Sequence, residues 1–308
     1  MVKQSASHSD CVKIQSSRGD KALIACFYVF NALFASICLL PFLMVVSASF
    51  TKEKALLEFG YKLWPTVFSL DAYRMLKESA NLFQSYAVTI FITVVGTALS
   101  MLFTCSIAYA LSVKSFRSRS FISLFVYFTM LFSGGMVPTY LLITKTLKLQ
   151  NTIWVLIIPS LCSAWNILLM RNFFNGISPS LAESAKLDGA NDITIMFRII
   201  LPISLPGIAT ISLFYALNYW NEWMHCLLYI DSNHEQLYTL QYLLQRMLRE
   251  VNFMKTHGAS VAGLSAAELP AYTNRMATVV VAVGPIILLY PMLQKYFVQG
   301  LSIGAVKG

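Results

Sequence analysis

Two groups of polar side chains interrupt an otherwise apolar chain, at spacings that suit binding rather than catalysis. The stretch "ESAKLDGAND", residues 183–192, places acids, small residues and a glycine between two long apolar runs. Further along, Tyr215, Asn218, Tyr219 and Glu222 recur at helical spacing, which predicts one face lining a cavity. Aromatic rings stack on the C–H faces of sugars and polar side chains bind their hydroxyl groups, so this second group is a candidate saccharide contact. The same residue types also suit a membrane interface or a helix–helix contact, and both alternatives stay open.

Neither group has the composition of a catalytic or metal centre. The six cysteines show no C-x-x-C or other metal spacing, and no constellation of His, Asp and Glu faces a common depth. The chain also lacks G-x-x-x-x-G-K-[ST], the phosphate-binding loop of many ATPases. We therefore predict no catalytic residue, no metal site and no cofactor in this chain.

The composition is that of an integral membrane protein. Of the 308 residues, 57% are hydrophobic and 12% charged, whereas soluble domains carry about 25% charged residues. Roughly 20 apolar residues cross a bilayer as a helix, and only helices or closed barrels satisfy the backbone in lipid. Barrel strands would alternate over about ten residues, a pattern that these long runs do not show. The sequence predicts an all-α protein with a transmembrane domain over residues 22–298, whose six spans are residues 22–50, 82–113, 116–136, 149–170, 202–221 and 276–294.

Basic residues beside the predicted spans favour both termini in the cytoplasm. The short loop of residues 114–119 carries three basic side chains and no acid, and the leader, residues 1–21, is also basic. Because short cytoplasmic loops are enriched in Lys and Arg, this topology places the leader, residues 171–201 and the tail, residues 299–308, inside the cell. A signal peptide has an apolar part of about 7–15 residues, so the longer first run is predicted to be a retained span.

Three features are expected to interrupt or follow the spans. Gly134, Gly135 and Pro138 would break the helix after residue 136, so that the chain turns along the outer surface. Residues 237–251 have apolar side chains at helical spacing and predict an external amphipathic helix, lying in the interface or packing on a partner. The sixth span is expected to kink near Gly284, which Pro285 follows.

The charges argue against two functional classes. The net charge of +9 comes from residues scattered among membrane-flanking loops, so nucleic acid is excluded as a partner. No predicted span has an ionisable residue in its interior, although ion-coupled transporters usually keep one at membrane depth. If this protein moves a solute uphill, the energy must come from another polypeptide.

The polar hairpin, residues 179–201, is predicted to be helix, tight turn, helix. Ser178 would cap the first helix and Gly189 would end it in the left-handed conformation. Asn191 or Asp192 would cap a second helix that stops before Pro202. An acid at the helix C-terminus and a smooth surface of small residues suit docking by another protein, and a solvated re-entry loop is the alternative.

The hairpin "ESAKLDGAND…RIILP" resembles the EAA loop of ABC importer permeases, whose pattern is E-A-A, three residues, G, and then I-x-L-P. The matching positions are Glu183, Ala185, Asp188, Gly189, Ala190, Ile199, Leu201 and Pro202, and Ser184 replaces the usual first alanine. The stretches "GGMVPTYLLI", "WNEW", "NRMATVVVAVGP" and "QKYFVQGLSIGAVKG" are similar to the MalG-like carbohydrate-uptake branch, in particular its LplC/YtcP-type members. The chain is thereby identified as a member of this branch, over residues 22–308.

The resemblance implies a type I ABC importer (MalG-like) permease fold with a cytoplasmic coupling helix at residues 179–188. The ATPase-coupling residues would be Glu183, Ser184, Ala185, Asp188, Gly189, Ala190 and Pro202. The implied partners are a second, non-identical permease in a heterodimer, two ATPase subunits that bind ATP and magnesium, and an extracytoplasmic solute-binding (lipo)protein. The chain itself would be a lipid-embedded, non-catalytic subunit of a bacterial cytoplasmic membrane.

The resemblance also implies an oligosaccharide substrate, since LplC/YtcP-type members are associated with oligosaccharides that include uronic acids. In the maltose system the sugar lies mainly on the partner permease, which weakens the expectation of a sugar contact in this chain. Two alternatives remain, namely an ABC permease for a non-sugar solute and a stand-alone channel. A channel would need no cytoplasmic docking hairpin.

Overall fold

The computed structural model describes residues 18–78, 82–257 and 272–287, and the described chain is helical apart from one isolated bridge between Thr51 and Phe68. The α-helices are α1 (Arg18–Ser49), α2 (Glu53–Phe59), α3 (Asp71–Glu78), α4 (Leu82–Ser112), α5 (Arg119–Leu131), α6 (Met136–Leu141), α7 (Ala164–Asn175), α8 (Pro179–Leu187), α9 (Asp192–Ile195), α10 (Leu201–Ile203), α11 (Leu205–Trp220), α12 (Met224–Tyr229), α13 (Leu240–His257) and α14 (residues 272–287). The prediction of an all-α fold is confirmed. The predicted tail lies outside the described residues, and α1 begins within the predicted leader.

Two helices are long and apolar enough to cross a membrane unbroken. They are residues Gly19–Ser49 of α1 and Leu82–Ser112 of α4, which cover the first two predicted spans. Helix α1 stands apart from the rest, since no residue of its most apolar window is buried. Helix α4 lies at the centre and packs most extensively against α11 and α7. The interior of this protein is therefore built around α4.

The fourth span is broken, which corrects the prediction of a continuous helix at 149–170, whereas the predicted break at Gly134 and Gly135 is confirmed and the helix of the third span ends earlier than predicted, at Leu131. Helix α5 has 13 residues and is followed, after a break at Gly135 (φ 87°), by a helical segment that turns away by 112°. At about 1.5 Å per residue, α5 spans only about 20 Å. The 3-10 segments over Ile153–Ser160 meet α7 at 52°, and Ser163 caps α7 by accepting the Asn166 amide (3.4 Å). Pro159 removes one backbone hydrogen-bond donor before the break. The Ser163 side chain then stabilises the start of α7 after it.

The fifth span bends sharply before it enters the core. Helical residues Asp192–Ile203 meet Leu205–Trp220 at 86°. The prediction that the second hairpin helix stops before Pro202 is wrong, because Pro202 lies inside α10. A π-helical turn, Met196–Ile200, comes directly before it. The wider π turn relieves the clash that a proline ring makes with the carbonyl four residues earlier, so helix continues to Ile203.

Helix α13 is the predicted external amphipathic helix, but it begins at Leu240 rather than 237 and extends to His257. Its apolar residues Leu240, Leu243, Leu244 and Met247 are buried in a cluster with residues of α3, α11 and α14. This corrects the expectation that its apolar face meets the membrane interface or a partner. The side chains needed to cover that face come from the same chain.

Helix α14 is attached to the core by polar contacts at several points. The Glu53 carboxylate accepts the Tyr272 amide (3.0 Å), the Thr273 amide (2.8 Å) and the Thr273 hydroxyl (2.8 Å). Farther along, the Trp220 indole donates to the Ala282 carbonyl (3.1 Å). The helix passes through Gly284 and Pro285 to residue 287, and the end of the predicted sixth span lies outside the described residues.

Candidate functional site

The polar hairpin has the predicted form of helix, left-handed turn and helix. At the end of α8 the Gly189 amide donates to the Lys186 carbonyl (3.0 Å) and the Ala190 amide donates to the Ala185 carbonyl (2.9 Å). This pair of bonds is a Schellman motif, which requires a left-handed residue at the position of Gly189 (φ 84°). The sequence therefore uses glycine at the one position where a side chain would strain the backbone.

The second helix of the hairpin is capped as predicted, whereas the first is not. The Asn191 side chain accepts the Thr194 amide (2.8 Å), and Lys186 forms an ion pair with Asp192 (2.8 Å) across the turn. The hydrogen bond from Lys186 to Asp192, together with the negative charge of Asp192, raises the pKa of Lys186. The Ser178 hydroxyl instead bonds the Ser180 hydroxyl (2.8 Å), so the predicted Ser178 cap is wrong. The pair of exposed charges bridging the turn adds little stability but fixes the register of the two helices.

The hairpin presents acids and apolar side chains to its surroundings. Glu183, Ser184 and Asp188 are exposed, and neither carboxylate has an ion-pair or hydrogen-bond partner among the described residues. Leu187 is 89% exposed and Ile193 is 69% exposed. These apolar side chains and the exposed carboxylates together form the side of the hairpin that the core leaves uncovered and that is open to a partner.

The inner face of the hairpin belongs to the core. Ala185 is 9% exposed and lies in one cluster with Met170, Ile195 and Tyr215. Ala190 is partly buried against the same cluster. The prediction that Ala185 forms part of a smooth docking surface is therefore wrong, because its methyl group packs inward. Pro202 is exposed on the short α10, near the end of the helical segment.

Two of the four predicted substrate-path residues are interhelical contacts. Tyr215 is 2% exposed, and its hydroxyl bonds the Thr104 hydroxyl (2.7 Å) and accepts the Ser163 amide (3.1 Å). Tyr219 is fully buried, and its hydroxyl bonds the Ser100 hydroxyl (3.0 Å) and the Ile157 carbonyl (3.1 Å). The prediction that both line an open cavity is corrected, since they pack α11 against α4.

The other two residues, Asn218 and Glu222, line a cavity of about 470 Å³ at the end of α11 farthest from the hairpin. Glu222 is only 7% exposed, and its carboxylate accepts the His225 amide (2.7 Å) and contacts His225 Nδ1 (2.7 Å). It therefore holds the turn into α12. The cavity also contains side chains that the helical pattern missed, namely Phe214, Leu217, Asn221, Trp223 and Met224. The "WNEW" stretch was the sequence signal that could have indicated these lining residues. Helical spacing could not predict the turn after α11 that places Trp223 beside the cavity.

No metal or redox centre is built from the described residues. Within them, no group of three or more His, Cys, Asp or Glu side chains lies close enough to hold a metal ion. The five cysteines that the structure describes are all free. The arrangement offers a surface for docking and a cavity for binding.

The chain is similar to bacterial sugar-transport proteins over nearly its whole length. It is 43% identical to the polygalacturonan/rhamnogalacturonan transport system permease protein YtcP of Bacillus subtilis, over 91% of this chain and 96% of that protein. It is 38% identical to the protein LplC of the same organism, over 96% and 98% of the two chains. A chain in the crystal structure of a bacterial ABC transporter involved in import of the acidic polysaccharide alginate matches with a TM-score of 0.77 and 31% identity, covering 92% of this chain and 99% of that one.

The family described as binding-protein-dependent transport system inner membrane component matches residues 102–303. That range begins in the second half of α4 and includes the hairpin, α11 and the cavity. The helical architecture, the exposed hairpin and the similarity to solved and curated relatives agree with it. The chain belongs to the family of binding-protein-dependent transport system inner membrane components.

Proposed function

We propose that this chain is the permease subunit of an ATP-driven importer that takes up an oligosaccharide. It forms half of the translocation path with a second, non-identical permease. Two separate ATPase subunits bind ATP and magnesium, and an extracytoplasmic binding protein delivers the sugar. The polar hairpin then faces the cytoplasm, as do both termini, and the tail of residues 299–308 extends toward the ATPases.

The shape of the hairpin is the observation that carries this proposal. One face of α8 is buried in the core, and the other exposes Glu183, Leu187 and Asp188. Single exposed apolar side chains are common, so Leu187 supports docking because it lies beside Glu183 and Asp188 on the side of the hairpin that the core leaves uncovered, where a cleft on a partner would bury it. The ATPase-coupling residues are therefore Glu183, Ser184, Asp188 and Gly189, with Leu187 added, while Ala185, Ala190 and Pro202 support their placement.

The interior of the fold also favours an external energy source. The continuous span α4 and the core helix α11 contain no Asp, Glu, Lys, Arg or His. Ion-coupled transport normally places such residues at membrane depth, so the work of uptake is assigned to ATP hydrolysis on another subunit. A stand-alone channel would leave the exposed hairpin without a role.

The relatives favour an acidic saccharide as substrate. YtcP is named for polygalacturonan and rhamnogalacturonan, and the similar solved transporter takes part in alginate import. These polymers contain uronic acids, and we assign the same substrate class to this chain. A non-sugar solute is the second candidate, and uptake competition by oligogalacturonides separates the two.

A glycine substitution tests the coupling role. In Gly189→Val, a β-branched residue occupies φ 84°, which costs about 1–3 kcal/mol and distorts the turn between the two hairpin helices. No atom lies within 4 Å of the added Cβ, so backbone strain is the cause of any effect. Gly134→Val is the matched control, because Gly134 also has open space and no left-handed φ. We expect Gly189→Val, and not Gly134→Val, to lower both ATPase co-purification and ATP-driven uptake.

The outcomes discriminate between the candidate functions. Retained ATPase binding and retained uptake in Gly189→Val would refute the coupling role of the hairpin. Loss of folded protein in detergent would point to a structural role, and Leu187→Ser separates the two because its side chain lies almost wholly in solvent. That variant is expected to fold normally and to bind the ATPases less tightly.

A further inference from the structure

The cavity at the end of α11 contains chemistry that the coupling function does not use. Seven residues line its volume of about 470 Å³, namely Phe214, Leu217, Asn218, Asn221, Glu222, Trp223 and Met224. Binding sites for small molecules typically have volumes of about 300–1,000 Å³ and combine apolar and aromatic walls with a few polar groups. We propose that this cavity is a saccharide subsite that binds the ring face and hydroxyl groups of a sugar and does not bind its carboxylate. The inference rests on the proposed uptake of oligosaccharides.

Trp223 and Asn218 are the side chains of the cavity that are available to a ligand. Trp223 is 36% exposed and lines the cavity. The Trp223 indole N–H and the Asn218 amide have no hydrogen-bond partner among the described residues. A sugar needs an aromatic face for its C–H groups and polar partners for its hydroxyls, and this cavity supplies both. Trp223 is the stacking platform and Asn218 the hydroxyl partner.

The other polar groups of the cavity are already engaged and hold its shape. The Asn221 amide donates to the Leu217 carbonyl (2.8 Å). Both carboxylate oxygens of Glu222 are occupied by His225, and its carbonyl accepts the Thr239 hydroxyl (2.6 Å). Beneath the cavity, Tyr219 is fixed between α4 and Ile157. The cavity walls are therefore preformed, which lowers the cost of ordering them around a ligand.

The charge of the cavity determines which part of an acidic sugar it accepts. None of the seven lining residues is Lys or Arg, and the one ionisable member, Glu222, is an acid. The cavity is open to solvent, so a carboxylate entering it keeps its water and gains no cation. The cavity therefore does not select a charged uronate over its neutral ester. Recognition of the uronate charge is assigned to the partner permease or the binding protein.

Transport by the complete complex tests the subsite. Wild-type transporter, with its partner permease, ATPases and binding protein, is reconstituted in vesicles. The probes are trigalacturonate and its fully methyl-esterified form, which keeps the rings and removes the charges. In Trp223→Ala and Asn218→Ala, uptake at sub-saturating loaded binding protein is expected to fall about 2- to 13-fold, the range for losing one aromatic contact or hydrogen bond. The fold-loss is expected to be the same for both probes.

Matched variants identify the cause of any loss. Trp165→Ala removes an exposed tryptophan from α7, and Asn233→Ala removes an exposed asparagine that does not line the cavity; neither is expected to change uptake. Asn218→Asp places a negative charge in the cavity and is expected to reduce uptake of the acid more than uptake of the ester. Basal ATP hydrolysis and subunit co-purification are expected to be unchanged in the two control variants, Trp165→Ala and Asn233→Ala.

Four results would overturn the subsite. Uptake of both probes by Trp223→Ala and Asn218→Ala at the wild-type rate would show that the cavity binds no sugar. Loss of the partner permease from these variants would identify the surface as a subunit interface. A loss confined to the acidic probe would show that the cavity recognises charge. If wild-type vesicles import neither probe, the saccharide assignment fails and the subsite falls with it, whereas the ATPase-docking results stand independently.

Discussion

Gly96 on α4 packs closely against the Tyr219 ring on α11, and this contact can be tested by adding one methyl group. A Cβ built on Gly96 would lie 2.7 Å from two atoms of the Tyr219 ring and 2.9 Å from a third. Real Cβ atoms do not come this close to another heavy atom. The ring has no free space to move into, because Tyr219 is fully buried and its hydroxyl is bonded to Ser100 and Ile157.

Two estimates give the same loss in the free energy of unfolding for Gly96→Ala. If the ring stays in place, overpacking costs about 1–3 kcal/mol. If the ring moves, it gives up two hydrogen bonds, each worth about 0.5–1.5 kcal/mol, which again totals about 1–3 kcal/mol. Alanine also gains about 1 kcal/mol over glycine in helix propensity, so this gain must be measured separately.

The chain supplies the control for that gain. Gly284 lies in α14, and no atom outside its chain neighbours lies within 4 Å of an added Cβ, so Gly284→Ala adds a methyl group in a helix without a tertiary clash, while Pro285 restricts the residue before it. Unfolding of the purified complex can be followed with a thiol-reactive fluorophore after Cys11, Cys26, Cys38 and Cys162 are replaced by serine, because the remaining Cys105 and Cys226 are buried and react only after the core opens. The free energy of unfolding of Gly96→Ala is expected to lie about 1–3 kcal/mol below that of Gly284→Ala.

Equal stability of these two variants would refute the close contact between the helices. A second variant checks the direction of the reasoning. In the background Gly96→Ala, the change Tyr219→Leu removes the ring and is expected to recover part of the loss, whereas Tyr219→Leu alone destabilises. Additive effects of the two changes would mean that the residues do not touch.

Two further predictions concern other parts of the chain. Glu53→Gln weakens the three bonds to the start of α14 and is expected to lower the free energy of unfolding by about 1.5–3 kcal/mol, since bonds to a charged acceptor are strong. Glu58→Gln, on the exposed side of α2, is the control, and equal effects of the two would show that Glu53 does not hold α14. In a background without native cysteines, Ser184→Cys is expected to react with a membrane-impermeant maleimide in inverted vesicles only. Ser232→Cys is expected to react with it in intact cells only. The opposite pattern would place the hairpin outside the cell.

The sequence alone was sufficient for the elements whose signals are local. The lengths of α1 and α4 follow from uninterrupted apolar runs, and the left-handed turn at Gly189 follows from glycine between two helical patterns. The fold class and the family resemblance followed from the same runs and from the motif at residues 183–202. These features depend on neighbours a few residues apart.

The features that sequence reasoning missed all depend on long-range contacts. Helical spacing placed Tyr215 and Tyr219 on one face, but it could not show that the face meets Thr104 and Ser100 on α4 rather than a cavity. Ala185 has the small size that suits docking and equally suits close packing, and only the core cluster decides between the two. The break near residues 161–163 lies in an apolar run, where hydropathy gives no signal of a bend, whereas the break near residues 132–135 was predicted from Gly134 and Gly135.

One continuous apolar cluster extends from the hairpin to Tyr219 on α11, the residue after the cavity-lining Asn218. It includes Ala185 from α8, Ile195 from α9 and Met170 from α7, and it reaches Tyr215 and Tyr219 on α11. Close-packed interiors resist local deformation, so a displacement of α8 would move the inner ends of these helices together rather than compress them. The hydrogen bonds from the two tyrosines to α4 would extend that motion to the centre of the fold. Movement of the hairpin by an ATPase would thus reposition the cavity at the far end of α11 as part of the same body.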